Sequence, residues 1–406
     1  MKKIIYLLTG ALTAMAIAPQ VFALPVYMRQ TGMACNACHF QSFPALNEMG
    51  RAFKAGGYTL MGSQQKIEGN DGLSLPETLN AGVVMKIRYQ KSNGAKVVGT
   101  HTTNDGELQF FDELLLMIGG RVSENIGAQI ELNLPGKDAD PVVENFKMPF
   151  IYDVAGIKAG VIPFTTASQG AAYGFELLNT GAVEAARIME AGKSFSAQQY
   201  IGTGSAAEGV ALVASNSIFF ANISKWSPRS VGAANTGSPT ANYFRLAFTP
   251  KIGNWDMGVG VQSWSGSATE PIALALVDTK ASAVDAQAQG EVGSMPLGIY
   301  LTHVSASASG VNPNFFNTQA KAKSATTIAG QLGVLPGKAT LLMAYRKGDN
   351  GKATGNTDNS LMLGGTYQLV QNVQLQLNHE KYSGSAYDGT PADGNKLTTL
   401  MLFAAF

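Results

Sequence analysis

The sequence predicts an all-β fold, a transmembrane antiparallel β-barrel of about 16 strands. Charged residues make up only 14% of the 406 residues, 46 residues are glycine, and hydrophobic residues recur in short alternating runs. Such alternation gives each strand one apolar and one polar face, which is typical of a barrel with lipid outside and a polar lumen inside. One strand alone would also fit a soluble sandwich, so the connections between strands decide the fold.

The positions of the strands follow from the alternation. Val259 and Val261 share one face of their strand, whereas Gly260 and Gln262 share the other. The chain ends on Phe406, and a terminal aromatic residue is typical of bacterial outer-membrane proteins. We place strands near 80–90, 107–119, 126–133, 143–151, 156–163, 194–202, 210–223, 242–249, 254–264, 281–290, 296–304, 325–334, 338–346, 361–369, 373–381 and 397–406.

The lengths of the connections alternate, which favours a membrane barrel over a sandwich. Outer-membrane barrels keep both termini in the periplasm and join their strands by short periplasmic turns and longer external loops. Counting back from the last residue, long connections alternate with short ones such as 250–253, 335–337 and 370–372. The long connection 165–193 contains a helix-like run, 181–191, and we expect this loop to fold into the pore. An extra hairpin there would change the strand count.

An export signal occupies residues 1–23. Two lysines precede an uncharged, mostly apolar run over 4–18, and Val21 and Ala23 lie at the positions that signal peptidase reads. That run is too short to span a membrane, and no later stretch of apolar residues is long enough to predict a transmembrane helix. Loss of the two lysines reduces the 29 basic residues to 27, against 28 acidic residues. This balance argues against a nucleic-acid partner. The strand pattern predicts that the barrel lies in a lipid bilayer, that of the outer membrane.

Both cysteines of the chain lie in one pentapeptide, Cys35-Asn36-Ala37-Cys38-His39, which has the form of a c-type haem attachment site. Two thiols at this spacing add to the two vinyl groups of one haem, and the adjacent imidazole binds the iron. The same spacing of cysteines also occurs in disulfides and thioredoxin-type sites. Because an export signal precedes the motif and no thioredoxin-like strand and helix surround it, the sequence predicts one haem c.

The predicted haem segment covers residues 24–75, and the predicted barrel covers residues 76–406. A segment of this size seldom buries enough apolar surface to be stable alone, so we expect it to plug the lumen from the periplasmic side. Residues 44–55 predict a short amphipathic helix within it. Gly50 inside this helix indicates close packing, either against the porphyrin or against a neighbouring strand.

Three stretches around the motif closely resemble one family. They are PVYMRQTGMA at 25–34, FQSFPALN at 40–47 and GRAFKAGGYTL at 50–60. With the motif, they resemble the N-terminal cytochrome of the fused outer-membrane monohaem cytochrome c-porin family, which includes Fe(II)-oxidising cytochrome-porins. The likeness covers 36 residues, from 25 to 60, and the barrel matches only in architecture and order.

The resemblance implies a function and the residues that carry it. Cys35 and Cys38 correspond to the haem attachment residues, and His39 corresponds to the axial ligand of the iron. The implied activity is oxidation of Fe(II) at the cell surface, with one electron passing through the haem to a periplasmic c-type cytochrome or another carrier. Related fusions occur outside iron oxidisers, so the resemblance implies the haem more firmly than it implies Fe(II) as the electron donor.

The sixth ligand of the iron is open at the level of sequence. Met49 is the first candidate because it shares a helix face with Phe53, and Met61, which follows the helix, is the alternative. Met28 and Met33 are further alternatives. A thioether ligand raises the potential of a c-type haem relative to a second imidazole. Basic side chains could pair with the haem propionates, and the candidates are Arg29, Arg51 and Lys54.

The three remaining histidines suggest where Fe(II) could be gathered. In the predicted topology His101 lies in the first external loop, and His303 and His379 lie at the external ends of strands. Imidazole suits Fe(II), although polar loops of any porin contain such residues. Three other functions remain open: a cytochrome-porin for another donor, one that exports electrons, and a passive porin. Hydrolytic triads, phosphate loops and zinc-site spacings are not evident.

Overall fold

The computed structural model describes residues 25–62, 64–69, 72–96, 103–134, 142–180, 195–231, 238–389 and 392–406. It is a closed antiparallel barrel of 16 strands. The strands are β1 Ala81–Ser92, β2 Glu107–Ser123, β3 Ile126–Asn133, β4 Val142–Lys147 continued by Phe150–Val154, β5 Ile157–Thr166, β6 Ala207–Ser215, β7 Phe219–Pro228, β8 Ala241–Phe248, β9 Trp255–Ser265, β10 Ala281–Val292, β11 Met295–Ala306, β12 Lys323–Leu335, β13 Ala339–Asp349, β14 Asn359–Val370, β15 Val373–Ser383 and β16 Lys396–Ala405.

Short elements complete the described structure. The α-helices are α1 Pro25–Thr31, α2 Cys35–Cys38, α3 Glu48–Ala55 and α4 Ala197–Ile201, and single 3₁₀ turns lie at Ala171–Gly174 and Ser385–Tyr387. Short strands outside the wall or at its turns are Lys66–Glu68, Ser74–Pro76, Lys251–Ile252, Ser267–Thr269 and Leu276–Asp278. Across the described ranges, no helix is long and apolar enough to cross a membrane.

The barrel closes because β16 pairs with β1, for example Leu402 opposite Ile87. Its wall has the polarity that the alternation predicts: Gln262 points into the lumen and is 2% exposed, whereas its neighbour Val261 points outward and is 44% exposed. An apolar outer surface around a polar interior is the reverse of a water-soluble barrel. Further outward apolar residues are Val259, Val284, Ile299, Leu301, Ile328, Leu341, Met343, Leu363, Leu377 and Leu400.

The prediction of 16 strands is confirmed, but two errors in the predicted strand positions cancel. Residues predicted as a strand at 194–202 contain helix α4, whose N-cap Ser196 forms a capping box with Gln199. Residues predicted as one strand at 210–223 form β6 and β7, separated by a tight turn. Asn216 makes that turn, because its side-chain oxygen accepts hydrogen bonds from the backbone N–H groups of Ile218 and Phe219.

Connections of two lengths lie at the two rims of the barrel. Short turns, such as 216–218, 293–294 and 371–372, join strands at one rim, which we call the short-turn rim. The chain enters β1 and leaves β16 at this rim, where Phe406 pairs with Val83 through two backbone hydrogen bonds. The long loops lie at the other rim, the long-loop rim. This alternation is the one that the sequence predicts.

The N-terminal residues 25–62, which we call the plug, lie inside the lumen at the short-turn rim. Gln30 holds the plug together and to the wall: its amide donates to the carbonyls of Tyr58 and Leu60, and its oxygen accepts from the backbone N–H of Arg121. On the opposite wall, Gln41 donates to the carbonyls of Pro296 and Gln331. The plug is therefore fixed to both sides of the barrel.

The wall carries glycines where the plug comes close. A Cβ added at Gly127 of β3 would lie 3.0 Å from the carbonyl carbon of Gly57 and closer still to its oxygen. At Gly333 of β12 an added Cβ would lie 2.5 Å from the side-chain oxygen of Gln41. Residues far apart in the sequence thus leave room for the same segment, as a tightly packed interior requires.

A loop from the long-loop rim also enters the lumen, as the sequence predicts. We call residues 167–206 the inward loop, of which 181–194 lie outside the described residues. Its Glu176 pairs with the fully buried Arg245 of β8 at 3.0 Å, and Arg245 pairs with Asp285 of β10 at 2.5 Å. Because a buried arginine needs both charge and hydrogen-bond partners, this network ties the loop to the wall.

Candidate functional site

A cavity lies between the plug and strands β1 to β4, and Cys35, Cys38 and His39 of the pentapeptide all line it. The remaining walls are mostly apolar, which is typical of a site for a small molecule or cofactor. Contributing side chains of the plug include Tyr27, Phe43, Leu46, Phe53 and Tyr58, and those of the barrel include Val84, Leu115 and Met117.

His39 lines the cavity, and its Nδ1 is bonded to the backbone of the plug. It follows α2 with extended backbone angles, and its Nδ1–H donates to the carbonyl oxygen of Ala45 at 3.2 Å. A ligating histidine commonly donates its other nitrogen in this way, which fixes the tautomer and leaves Nε2 for the metal. Burial lowers the pKa of His39 to about 4, so the imidazole is neutral at neutral pH. The ring therefore has the protonation state that an iron ligand needs.

Cys35 and Cys38 are free thiols at the two ends of helix α2. Burial raises the pKa of both thiols, and the neighbouring Cys38 raises that of Cys35 further. Reactive cysteines of thioredoxin-type sites have the opposite property, a lowered thiol pKa. The environment thus disfavours the redox dithiol interpretation and agrees with a site where both sulfurs face a hydrophobic group.

Helix α3 packs directly on the backbone of the motif through Gly50. A Cβ added there would lie 3.0 Å from the carbonyl carbon of Cys38 and closer still to its oxygen. The N-cap Asn47 connects the same two elements: its oxygen accepts from the N–H of Gly50, and its amide donates to the carbonyls of Asn36 and Ala37. The close packing predicted at Gly50 is present, and the nearest atoms are the backbone of Cys38 and a methyl of Leu46 rather than those of a strand.

The candidate methionines lie in two different places. Met28 and Met33 line the cavity, whereas Met49 and Met61 do not. Helix α3 begins at Glu48 rather than at the predicted residue 44, and its residues that line the cavity are Gly50, Phe53 and Lys54. Among the methionines of the described residues, Met28 and Met33 are therefore the ones placed at the cavity.

The three basic side chains proposed for propionates have different positions. Arg51 pairs with Asp256 of β9 at 2.7 Å, and Arg29 donates to the carbonyl of Ala81 at 2.7 Å. Lys54 lines the cavity, and within the described ranges its ammonium contacts no acidic partner. Two barrel lysines also line the cavity: Lys86, which pairs with Glu113, and Lys147, which lies over the ring of Tyr173 at 4.1 Å. Of the three, Lys54 is the one that lines the cavity.

The structure does not bring the histidines of the metal-gathering hypothesis together. His303 and His379 lie on the outer face of the barrel near the long-loop rim, where each bonds a neighbouring threonine, Thr326 at 2.8 Å and Thr398 at 2.9 Å. His101 lies outside the described residues. In the part of the chain that the structure describes, no three His, Cys, Asp or Glu side chains are grouped to hold a metal ion.

Comparisons with known proteins find likeness in architecture only. No protein-family model matches the chain, and no curated protein matches it. Among solved structures, it is similar to the outer membrane channel DcaP of Acinetobacter baumannii, at 12% identity and a TM-score of 0.49 over 81% of this chain and 97% of that one. It is also similar to a loop-deletion mutant of OmpT, an outer membrane protein of Vibrio cholerae, at 13% identity and a TM-score of 0.48 over 81% and 99%. A third is the outer membrane protein OpdK of Pseudomonas aeruginosa, at 9% identity and a TM-score of 0.44 over 80% and 98%.

Two features of the site are missed by sequence reasoning. Asn47 carries a readable signal, an N-cap residue directly before a helix, so its position could have been predicted. Asn179, which bonds the backbone of Leu46 from the inward loop, carries no such signal. Its partner lies 133 residues away in the chain.

Proposed function

We propose that this chain is an outer-membrane electron-transfer protein that holds one haem c in the cavity between plug and barrel. Cys35 and Cys38 would attach the haem, and His39 would bind its iron. One observation carries the proposal: all three residues of the motif line a single, mostly apolar cavity, and the Nδ1 of His39 is bonded to the Ala45 carbonyl. An accidental pentapeptide has no reason to be placed in this way.

The position of the plug gives the proposal its direction across the membrane. Short turns and both chain ends of outer-membrane barrels face the periplasm. The short-turn rim, where the plug enters, is accordingly the periplasmic side in our proposal, and the long loops face outward. The cavity wall includes Val84 and Lys86, three and five residues from the start of β1. The cofactor would lie in the periplasmic half of the lumen, within reach of a periplasmic electron carrier.

The residues around the cavity have distinct parts in this function. A haem, when bound, supplies one-electron chemistry at its iron. A sulfur from Met28 or Met33 would complete the coordination, and a thioether there favours a high potential. Phe53 and Leu115 would shield the group from water, and the Lys54 ammonium would pair with a propionate.

We propose Fe(II) as the electron donor, and this part is supported by the family resemblance of residues 25–60. Fe(II) loses one electron to become Fe(III), and the acceptor is a periplasmic c-type cytochrome or another carrier. The test is anaerobic mixing of oxidised protein with excess Fe(II) while the haem absorbance is followed. We expect one-electron reduction, and loss of it in His39→Ala. A haem that stays oxidised would refute Fe(II) oxidation and favour another donor or electron export.

A passive porin is the second candidate, because a 16-stranded barrel with a polar interior is wide enough for an aqueous channel. Within the described residues, however, the plug and the inward loop occupy the lumen: Arg245, Gln331 and Arg346 point inward, and each is no more than 2% exposed. Conductance in a planar bilayer distinguishes the two functions. A passive porin conducts ions without a haem, whereas the proposed protein conducts weakly until the plug is removed.

A further inference from the structure

One residue of the inward loop contacts the plug as a β-strand residue would. The side-chain oxygen of Asn179 accepts from the backbone N–H of Leu46 at 2.7 Å, and its amide donates to the carbonyl of Leu46 at 3.0 Å. Both polar atoms of this amide are thereby used on one backbone position. Asn179 is only 1% exposed, so neither hydrogen bond is replaceable by solvent.

Leu46 belongs to the segment that orients His39. The carbonyl of the preceding residue, Ala45, accepts from Nδ1–H of His39 at 3.2 Å and from the backbone N–H of Phe40 at 2.7 Å. Leu46 itself lies opposite His39 in an isolated antiparallel bridge. The amide of Asn179 therefore fixes the backbone next to the carbonyl that holds the imidazole.

The barrel wall fixes Asn179 in turn. Its backbone N–H donates to the side-chain oxygen of Gln287 on β10 at 2.8 Å. The next residue, Thr180, donates through its hydroxyl to Asp285 at 2.6 Å, and Asp285 is the partner of the buried Arg245. Hydrogen bonds thus lead from the wall through Asn179 to Leu46, which directly follows the residue that bonds His39. Such second-shell contacts orient the ligands of a metal and tune its properties.

We infer that Asn179 is a positioning residue for His39, through which the inward loop sets the redox potential of the haem. The inference rests on the proposed function. A histidine whose Nδ1–H donates to a well-placed carbonyl is a more basic ligand, which stabilises ferric over ferrous iron. When Asn179 no longer holds Leu46, the Ala45 carbonyl loosens and the His39 hydrogen bond weakens. The midpoint potential should then rise.

The experiment compares haem-loaded full-length Asn179→Ala with wild type and with Asn222→Ala. Asn222 is a matched control: it is a buried lumen asparagine whose amide donates to the carbonyl of Phe175 in the same inward loop, at 3.3 Å, without contact to the plug. The readouts are the midpoint potential from redox titration and the solvent exchange of the His39 Nδ1–H proton, followed by NMR of the ferrous protein. We expect a positive shift in potential and faster exchange of this proton in Asn179→Ala, and wild-type values in Asn222→Ala.

A second measurement keeps the inference testable if the alanine variant folds poorly. Asn179→Ser retains one hydrogen-bonding oxygen, and amide hydrogen exchange at Leu46 should be faster in it than in wild type. An unchanged midpoint potential in the haem-loaded variants, or equal shifts in Asn179→Ala and Asn222→Ala, would overturn the role of Asn179. The proposed function would be unaffected by either result. A wild-type protein without haem would instead overturn the proposed function, and the inference with it.

Discussion

Gly50→Ala tests the packing of helix α3 on the haem motif. The added methyl would lie 3.0 Å from the carbonyl carbon of Cys38, 3.1 Å from a methyl of Leu46, and closer than either to the Cys38 oxygen. Because the nearest atoms belong to backbone, relief requires the whole helix to move. Overpacking of this kind costs about 1–3 kcal/mol, and the helix propensity of alanine returns about 1 kcal/mol. Because the contact is with backbone, the cost lies at the upper end of that range, and we expect the free energy that holds the plug in place to fall by about 2 kcal/mol.

Gly56→Ala is the matched control on the same helix. Gly56 has ordinary backbone angles, and an added Cβ there meets nothing closer than 3.4 Å. We expect a change within about 0.5 kcal/mol, as at other sites without a packing conflict. The assays are thermal release of the plug, followed by haem absorbance in detergent, and the yield of covalent haem on denaturing gels. Equal melting temperatures and haem yields in Gly50→Ala and Gly56→Ala would refute the close packing of α3 on Cys38.

Three further predictions follow from the same geometry. Met28→Ala or Met33→Ala should abolish the sulfur-to-iron absorption band and lower the midpoint potential of the haem, whereas Met49→Ala should leave both unchanged. Loss of the band in Met49→Ala would contradict the placement of the sixth ligand at the cavity. His303→Ala with His379→Ala should leave the rate of haem reduction at limiting Fe(II) unchanged, since both side chains lie on the outer face, and a slower rate would restore their metal-gathering role. A peptide with one cysteine, inserted after Gly389 between β15 and β16, should be labelled on intact cells by a membrane-impermeant thiol reagent. Labelling only after lysis would reverse the assignment of the two rims to the two sides of the membrane.

The barrel could be predicted from sequence because its signals are local. Alternation over about 10 residues predicts a strand and which of its faces is apolar, and the lengths of the connections show which of them share a rim. The errors occurred where the local signal is ambiguous: β6, the turn at Asn216 and β7 form one mostly apolar run, and the strand predicted at 194–202 is helix α4. The outward position of His303 could also be predicted, because His303 lies on the same face of its strand as Leu301 and Ile299, which face outward.

The candidate site divides in the same way. Cys35, Cys38 and His39 are adjacent in sequence, so their common cavity could be anticipated from the motif. The choice between Met28 and Met49 depends on which side of the plug faces the barrel wall, and the role of Asn179 depends on a loop that folds back across the lumen. Neither is encoded in a spacing, because both arise only when the plug and the barrel are packed together.

The central claim is that the chain carries a covalent haem, and a haem stain of the denatured protein tests it most directly. Thioether bonds survive denaturation, whereas a non-covalently bound haem is lost. We expect a stained wild-type band and an unstained band in Cys35→Ala/Cys38→Ala, with the double variant still inserted as a heat-modifiable barrel. An unstained wild-type band, or a stain retained by the double variant, would contradict the account.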